Sequence, residues 1–319
     1  METAEILHGQ LIIGPAGSGK TTYCRYVLEH LQNISNREVI LVNLDPDNNP
    51  NLSIRYQIDI SDLIKLSDVM QKEKLGPNGS FLFCMDFLEK NLEWLQQRIY
   101  EEFLKAKQKI LIEKLDRRRP YILFDCPGQI ELYTNYPVFK NIVAALLNYK
   151  YCSQQSSSSN SKTIQTKLEL RLVTINMVDS HYANDPGKFI SVVLNSLLSM
   201  LHIESPFINV LSKADLMEKY GETDFGINFY CELPDLDRLV ERISDDPMMS
   251  KYKKLTKAIA SIIDNYSLAS YLPLDVKDPI SLAKIINSAD FANGFNMDSS
   301  SDYRIPKADF EASKYGNFM

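Results

Sequence analysis

Apolar positions along the chain fall into two periods. Short, largely apolar runs occupy residues 10–14, 38–44, 121–125, 168–178, 207–212 and 269–275 and read as buried strands. Between them, apolar residues recur at three- and four-residue spacing over 19–33, 186–202 and 278–290 and read as helices. Strands alternating with helices predict an α/β fold, a mostly parallel sheet covered on both faces. Two helical insertions interrupt the alternation. Over about 85–116, Leu88, Leu92, Leu95, Ile99, Phe103, Ile110 and Leu115 are spaced as one long amphipathic helix, and about 222–266 reads as further helices. One compact domain over 1–294 accommodates these segments better than two independent ones. The polar, serine-rich stretch at about 153–166 cannot build a core and is expected to be a disordered loop; 295–319 lacks periodicity and is expected to be a tail.

Composition narrows the class. At 45% hydrophobic and 24% charged over 319 residues, the chain is ordinary globular material with ample length for a core. A net charge of −6 offers no electrostatic footprint for nucleic acid, so no direct nucleic-acid partner is expected. No apolar run approaches the roughly 20 residues of a membrane span, and METAEILHGQ lacks a signal pattern, so no membrane association is expected. Cys24, Cys84, Cys126, Cys152 and Cys231 form no CxxC pair, which points to reduced thiols rather than a zinc site or disulfide framework. His8, His30 and His202 stand singly, and Asp179-Ser180-His181, adjacent in sequence, cannot align as a hydrolytic triad.

The strongest chemical signal is Gly14-Pro-Ala-Gly17-Ser18-Gly19-Lys20-Thr21, which satisfies G-x-x-x-x-G-K-[ST] between a strand and a helix. Backbone N–H groups from Gly17 to Thr21 can converge on phosphates, with Thr22 following them into the helix. Lys20 supplies a cation to the terminal phosphates, and the Thr21 hydroxyl can ligate Mg²⁺. This makes the chain a P-loop NTPase. Two further strands end in acids. Asp45 closes the second and is expected near the γ-phosphate, since ligands in parallel sheets sit at the carboxyl ends of strands. Asp125 closes the next and is the expected second magnesium residue; Gly128, Gln129 and Glu131 follow, in a run resembling the D-x-x-G switch. Asp45, Gln129 and Glu131 all remain candidates to activate or position water. Arg117-Arg118-Arg119 reads as a solvated helix end rather than an arginine finger.

After the apolar run Phe207 to Leu211 comes Ser212-Lys213-Ala214-Asp215, which resembles the N-K-x-D guanine motif with Ser in place of Asn. A carboxylate at Asp215 can accept both N1–H and N2–H of guanine, and the Lys213 stem can lie across the base. Ser212 weakens or removes the usual Asn contact. A loop from Pro273 to Asp275 is expected to close over the base. Leu75-Gly76-Pro77-Asn78-Gly79-Ser80 has the chemistry of a stiff turn, placed before an apolar helical pattern.

Taken in order, the phosphate loop, NLDP, GPN, DCPGQIE and SKAD make the chain resemble the GPN-loop GTPases over about residues 8–294. Flanking text such as LGPNGSFLFCMDFLEKNL and NMVDSHY is most similar to the second eukaryotic paralogue of that family. The resemblance implies a GTPase using GTP/GDP and Mg²⁺, working as a homodimer or as a heterodimer with a paralogous GPN protein. It implies that Gly76, Pro77 and Asn78 of one chain act at the nucleotide of the other. It also implies a cytoplasmic protein that assists assembly and nuclear import of RNA polymerase II, with polymerase subunits or assembly factors as partners. Two other readings of the residues stay open: a nucleotide-dependent scaffold with negligible hydrolysis, and a nucleoside or polynucleotide kinase, against which SKAD argues.

Overall fold

The computed structural model describes residues 5–35, 37–47, 54–113, 118–148, 150–152, 167–219, 225–233, 236–243, 250–266 and 270–295. Its strands are β1 (Glu5–Ile13), β2 (Arg37–Asn43), β3 (Ile58–Asp59), β4 (Arg119–Asp125), β5 (Lys150–Cys152), β6 (Lys167–Asp179), β7 (Phe207–Ser212) and β8 (Tyr271–Pro273). The helices are α1 (Lys20–Asn33), α2 (Leu66–Lys72), α3 (Pro77–Lys90), α4 (Leu92–Ile112), α5 (Glu131–Thr134), α6 (Pro137–Leu147), α7 (Pro186–Ile203), α8 (Ile227–Glu232), α9 (Asp237–Ile243), α10 (Lys253–Tyr266) and α11 (Pro279–Asn293).

The sheet order is β3-β2-β4-β1-β6-β7-β8, all parallel, with β5 antiparallel to the start of β6. The α/β expectation and the mostly parallel sheet are therefore met. The strands are near-continuous apolar runs because both faces are buried. One core joins β1, β2 and β4 to α3, α4 and α6; a second lies under α1 and α11; a third gathers α7, α8, α9 and α10 around β7. The register sets strand ends level: Ile12 is opposite Asp125, Ile13 opposite Asn176, and Asp179 opposite Ser212. Everything that follows these ends shares one edge of the sheet.

Several expectations need correction. The segment 85–116 is not one helix. α3 ends at Asn91, whose side-chain amide donates to the Phe87 carbonyl at 2.7 Å, and α4 starts afresh at Leu92. The apolar spacing runs through the break, Leu88 to Leu92 to Leu95, so periodicity alone could not register it. The Gly-Pro-Asn-Gly stretch is not a free-standing turn either: Gly76 caps α3, and Pro77 occupies its first position, where a missing N–H costs nothing. β1 begins at Glu5, earlier than the apolar run suggested, and β8 spans only Tyr271–Pro273. α7, at 18 residues and mean hydropathy 1.2, is long and apolar enough to cross a membrane by length and composition, against the expectation. Its Phe189, Ile190, Val193 and Leu197 are buried in the protein core, while Leu198 and Leu201 are exposed. The serine-rich stretch at 153–166, Arg117, and the tail beyond 295 lie outside the described residues. Cys24, Cys84, Cys126 and Cys231 are free and buried.

At the other end of the strands, Arg37 on β2 meets Asp290 on α11 in a two-pronged pair, one prong at 2.9 Å. Its guanidinium lies 4.8 Å from the Tyr121 ring centroid and 3.9 Å from that of Phe295. This fastens α11 to the base of the sheet. Arg119 begins β4 at this same end and Arg118 just precedes it, 3.6 Å from Glu38, so neither sits at the phosphate-loop edge.

Candidate nucleotide site

The loop after β1 is shaped by glycine. Gly14 has φ of +138°, and an added Cβ would stand 2.3 Å from the Met177 carbonyl oxygen, so no other residue fits there. Gly17 and Gly19 also have positive φ, at +78° and +95°. α1 starts at Lys20 with no side chain capping its first turn and no acid within it. Among the described residues no side chain caps its first amides, the arrangement that receives phosphate. Ser18 Oγ is buried and finds no hydrogen-bond partner among the described residues. Lys20 Nζ donates to the carbonyls of Gly14 and Pro15, both at 3.1 Å. Burial lowers the ammonium from the ordinary lysine value, while the carboxylates of Asp125 and Asp45 pull it back up. A buried cation spent on neutral carbonyls, beside an unpartnered hydroxyl and open amides, fits an incoming polyphosphate.

Asp125 ends β4 next to this loop and is buried. It accepts from Tyr56 Oη at 2.8 Å and from the Thr21 hydroxyl, and its own carbonyl accepts from Leu44 N at 2.9 Å. Burial raises the Asp125 carboxyl above the usual range; the two hydroxyls and Lys20 oppose this. A hydroxyl and a carboxylate already in contact make a hard oxygen pair suited to Mg²⁺ completed by phosphate oxygens and water. Asp45 lies just past β2. Asn43 Oδ1 accepts from Asp45 N at 3.0 Å and Asn43 Nδ2 donates to Asp45 O at 3.1 Å, so the buried Asn43 shapes that turn. Burial pushes the Asp45 carboxyl up to about 6, against the opposing pull of Asp47 N–H and Lys20. Asp45, Asp125 and Lys20 thus share one electrostatic cluster.

Gly128 packs on the phosphate loop; a Cβ there would meet Ala16 Cα at 3.1 Å. Gln129 follows, half-buried, whereas Glu131 opens α5 with its side chain exposed, as Thr22 is on α1.

On the far side of β6, the end of β7 carries the SKAD loop. Ser212 is buried, with Oγ 2.7 Å from the Ser18 carbonyl and 3.0 Å from that of Val178. Its hydroxyl ties this loop to the phosphate loop rather than facing a ligand, a role the sequence did not reveal. Lys213 has φ of +57°. Asp215, half-buried, follows in a short 3₁₀ turn over Ala214–Lys219, and no described residue hydrogen-bonds or ion-pairs with its carboxylate. Pro273 is buried as the last residue of β8, paired with Leu211, so it is strand and not the expected lid. The residue after it makes the link: Ala214 N donates to Leu274 O at 3.0 Å.

Gly76, Pro77 and Asn78 are exposed, and among the described residues no hydrogen bond or ion pair joins them to the phosphate loop of their own chain. Tyr56, Asn43 and the pair Asp179–Ser180 support the site without having been singled out for it. An isolated Tyr or Asn carries no spacing signal, and Asp179 and Ser180 drew notice only as a spurious triad.

A family model described as a conserved hypothetical ATP binding protein matches residues 12–155 and 153–295. The chain is 43% identical to GPN-loop GTPase 2 of Danio rerio across 90% of its own length and 81% of that protein. It is 40% identical to a GPN-loop GTPase 2 homolog of Dictyostelium discoideum across 90% of its length and 80% of that protein. Among solved structures, a GTPase in apo form from Pyrococcus abyssi superimposes with a TM-score of 0.59 at 22% identity, covering 89% of this chain and 97% of that one, a likeness of fold.

Proposed function

The chain belongs to the GPN-loop GTPases, and from that membership we propose that it binds GTP with Mg²⁺ and hydrolyses it as a dimeric switch. The observation that carries the reading is the convergence at one sheet edge of the phosphate loop, Asp45, Asp125, Gly128 and the loop bearing Asp215. Lys20 exchanges the Gly14 and Pro15 carbonyls for phosphate oxygens, and the open amides at the start of α1 receive the rest of the charge. Thr21 and Asp125 are the residues that would hold Mg²⁺, which when bound offsets charge on the β- and γ-phosphates. Asp215 accepts both edge donors of guanine. Asp45, ionised above about 6, takes the proton of the attacking water, with Gln129 positioning that water. Exposed Glu131 is the weaker candidate.

Charge developing on the γ-phosphate still needs donors. The exposed Gly76-Pro77-Asn78 at the start of α3 supplies them to the partner's site, either of a second copy or of a paralogous GPN protein. The work of the switch is assembly and nuclear import of RNA polymerase II, begun in the cytoplasm; support for that client and location is the family resemblance alone.

A mixing experiment tests the central claim. Asn78→Ala keeps a nucleotide site and Lys20→Ala keeps a loop, and each alone should release little phosphate from GTP. In mixed dimers the intact loop meets the intact site and turnover returns. Mixed dimers that form, by mass measurement, without activity above the parents would refute supply in trans. Turnover of ATP equal to that of GTP would refute the guanine assignment.

A further inference from the structure

We propose that Asp179 and Ser180, at the end of β6, are positioning residues for base selectivity, holding Lys213 in the conformation that presents Asp215 to the base edge. This rests on the guanine reading above.

The observation behind it is the backbone of Lys213. Its φ of +57° is left-handed, unusual for a residue with a side chain. A non-glycine residue in that region is strained and persists only where its surroundings fix it. The surroundings do so from three strands. Ser180, buried on β6's continuation, donates its hydroxyl to the Lys213 carbonyl at 2.8 Å. Ser212 anchors the preceding residue to the phosphate loop, and Leu274, beyond β8, accepts from Ala214 N. Leu216 N donates to the same Lys213 carbonyl at 2.9 Å, which starts the turn that carries Asp215.

Asp179 acts on the side chain. Its Oδ1 accepts from His181 N at 2.9 Å, fixing the carboxylate, and its Oδ2 lies 2.6 Å from Lys213 Nζ. The ammonium is thereby tied to the end of β6. The pair is partly open, with side-chain exposures of 33% for Lys213 and 17% for Asp179. Such a pair adds little to stability. Its effect falls on the conformation of Lys213: the ammonium held at the end of β6 is a second tether, beside the Ser180 contact to the carbonyl, on the left-handed backbone that leads into Asp215.

Asp179→Asn separates the two functions of the carboxylate. The amide oxygen still accepts from His181 N, so the turn is retained, but the charge that holds Lys213 is gone. The assay is competition of GTP and ITP against a fluorescent nucleotide, with ITP lacking only the 2-amino group that Asp215 engages. In Asp179→Asn the GTP:ITP affinity ratio should fall at least fivefold, with ITP affinity and the thermal midpoint little changed. Ser180→Ala should lower the same ratio. In a Lys213→Met background, Asp179→Asn should have no further effect. A ratio in Asp179→Asn within twofold of wild type would overturn the proposal. So would equal weakening of GTP and ITP, which would place the effect on the phosphates or the fold, or a full additional loss in the Lys213→Met background. If the wild-type protein itself fails to prefer GTP to ITP, the guanine reading falls, and this inference with it.

Discussion

Removing the carboxylate of Asp290 should destabilise the protein far more than any change at its surface. Asp290 is 1% exposed and its partner Arg37 8%. Asp290→Ala leaves a guanidinium at the base of the sheet with no counter-ion, and a charge of that kind cannot lose its proton. Breaking a buried pair by deleting one member costs about 3–5 kcal/mol. The rings of Tyr121 and Phe295, at 4.8 and 3.9 Å, retain some attraction for the cation and hold the loss toward the lower figure. We therefore expect about 3 kcal/mol, read as ΔΔG from urea unfolding followed by circular dichroism. The double variant Arg37→Leu/Asp290→Leu removes both charges and should be less damaged than Asp290→Ala, because the unpaired ion, not the lost pair, is the main cost. A loss under about 1 kcal/mol for Asp290→Ala, or a double variant worse than the single, would refute the reasoning.

Three predictions concern the nucleotide site. Lys20→Ala should abolish tight GTP binding in a fluorescence titration, since water does not replace a buried ammonium on phosphate; unchanged affinity would remove the phosphate-loop assignment. Asp215→Asn should shift preference from GTP toward xanthosine triphosphate, which carries a carbonyl where guanine carries its amino group; a competition assay still favouring GTP as strongly as wild type would show that Asp215 does not read the base. For Asp45, the raised carboxyl means that the ionised, proton-accepting form becomes the major one only above about pH 6. Turnover should rise with pH through that value and flatten above it. Asp45→Asn should lower kcat about a hundredfold or more, with little change in GTP affinity, and lose the rising limb. A limb that persists in the variant would assign it to another group.

Much of the fold was legible because a buried parallel sheet writes itself as apolar runs separated by helical periods. The phosphate loop was legible because its glycines are forced, as the closeness of Gly14 to the Met177 carbonyl shows. The break at Asn91 was hidden because a three-four repeat passes through it unaltered. Pro273 was misplaced because a strand end and the loop after it share one apolar text; Leu274 makes the contact. Ser212 looked like a weakened base contact. Its hydroxyl instead joins two loops 194 residues apart, a pairing only three-dimensional register could reveal. Tyr56 was illegible for the same reason, reaching Asp125 across 69 residues.

The central place of β1 has a consequence for synthesis. The strand that leads into the phosphate loop leaves the ribosome before both of its neighbours, β4 and β6, against which His8 meets Tyr121 and Glu5 meets Leu168. At about 5–20 residues per second, its second edge stays open for roughly ten to thirty seconds. During that time an apolar strand, EILHGQLII, offers unpaired amides and carbonyls to any other nascent chain. A fragment that stops after α6 would carry this open edge permanently and should aggregate, whereas extension through β6 closes it.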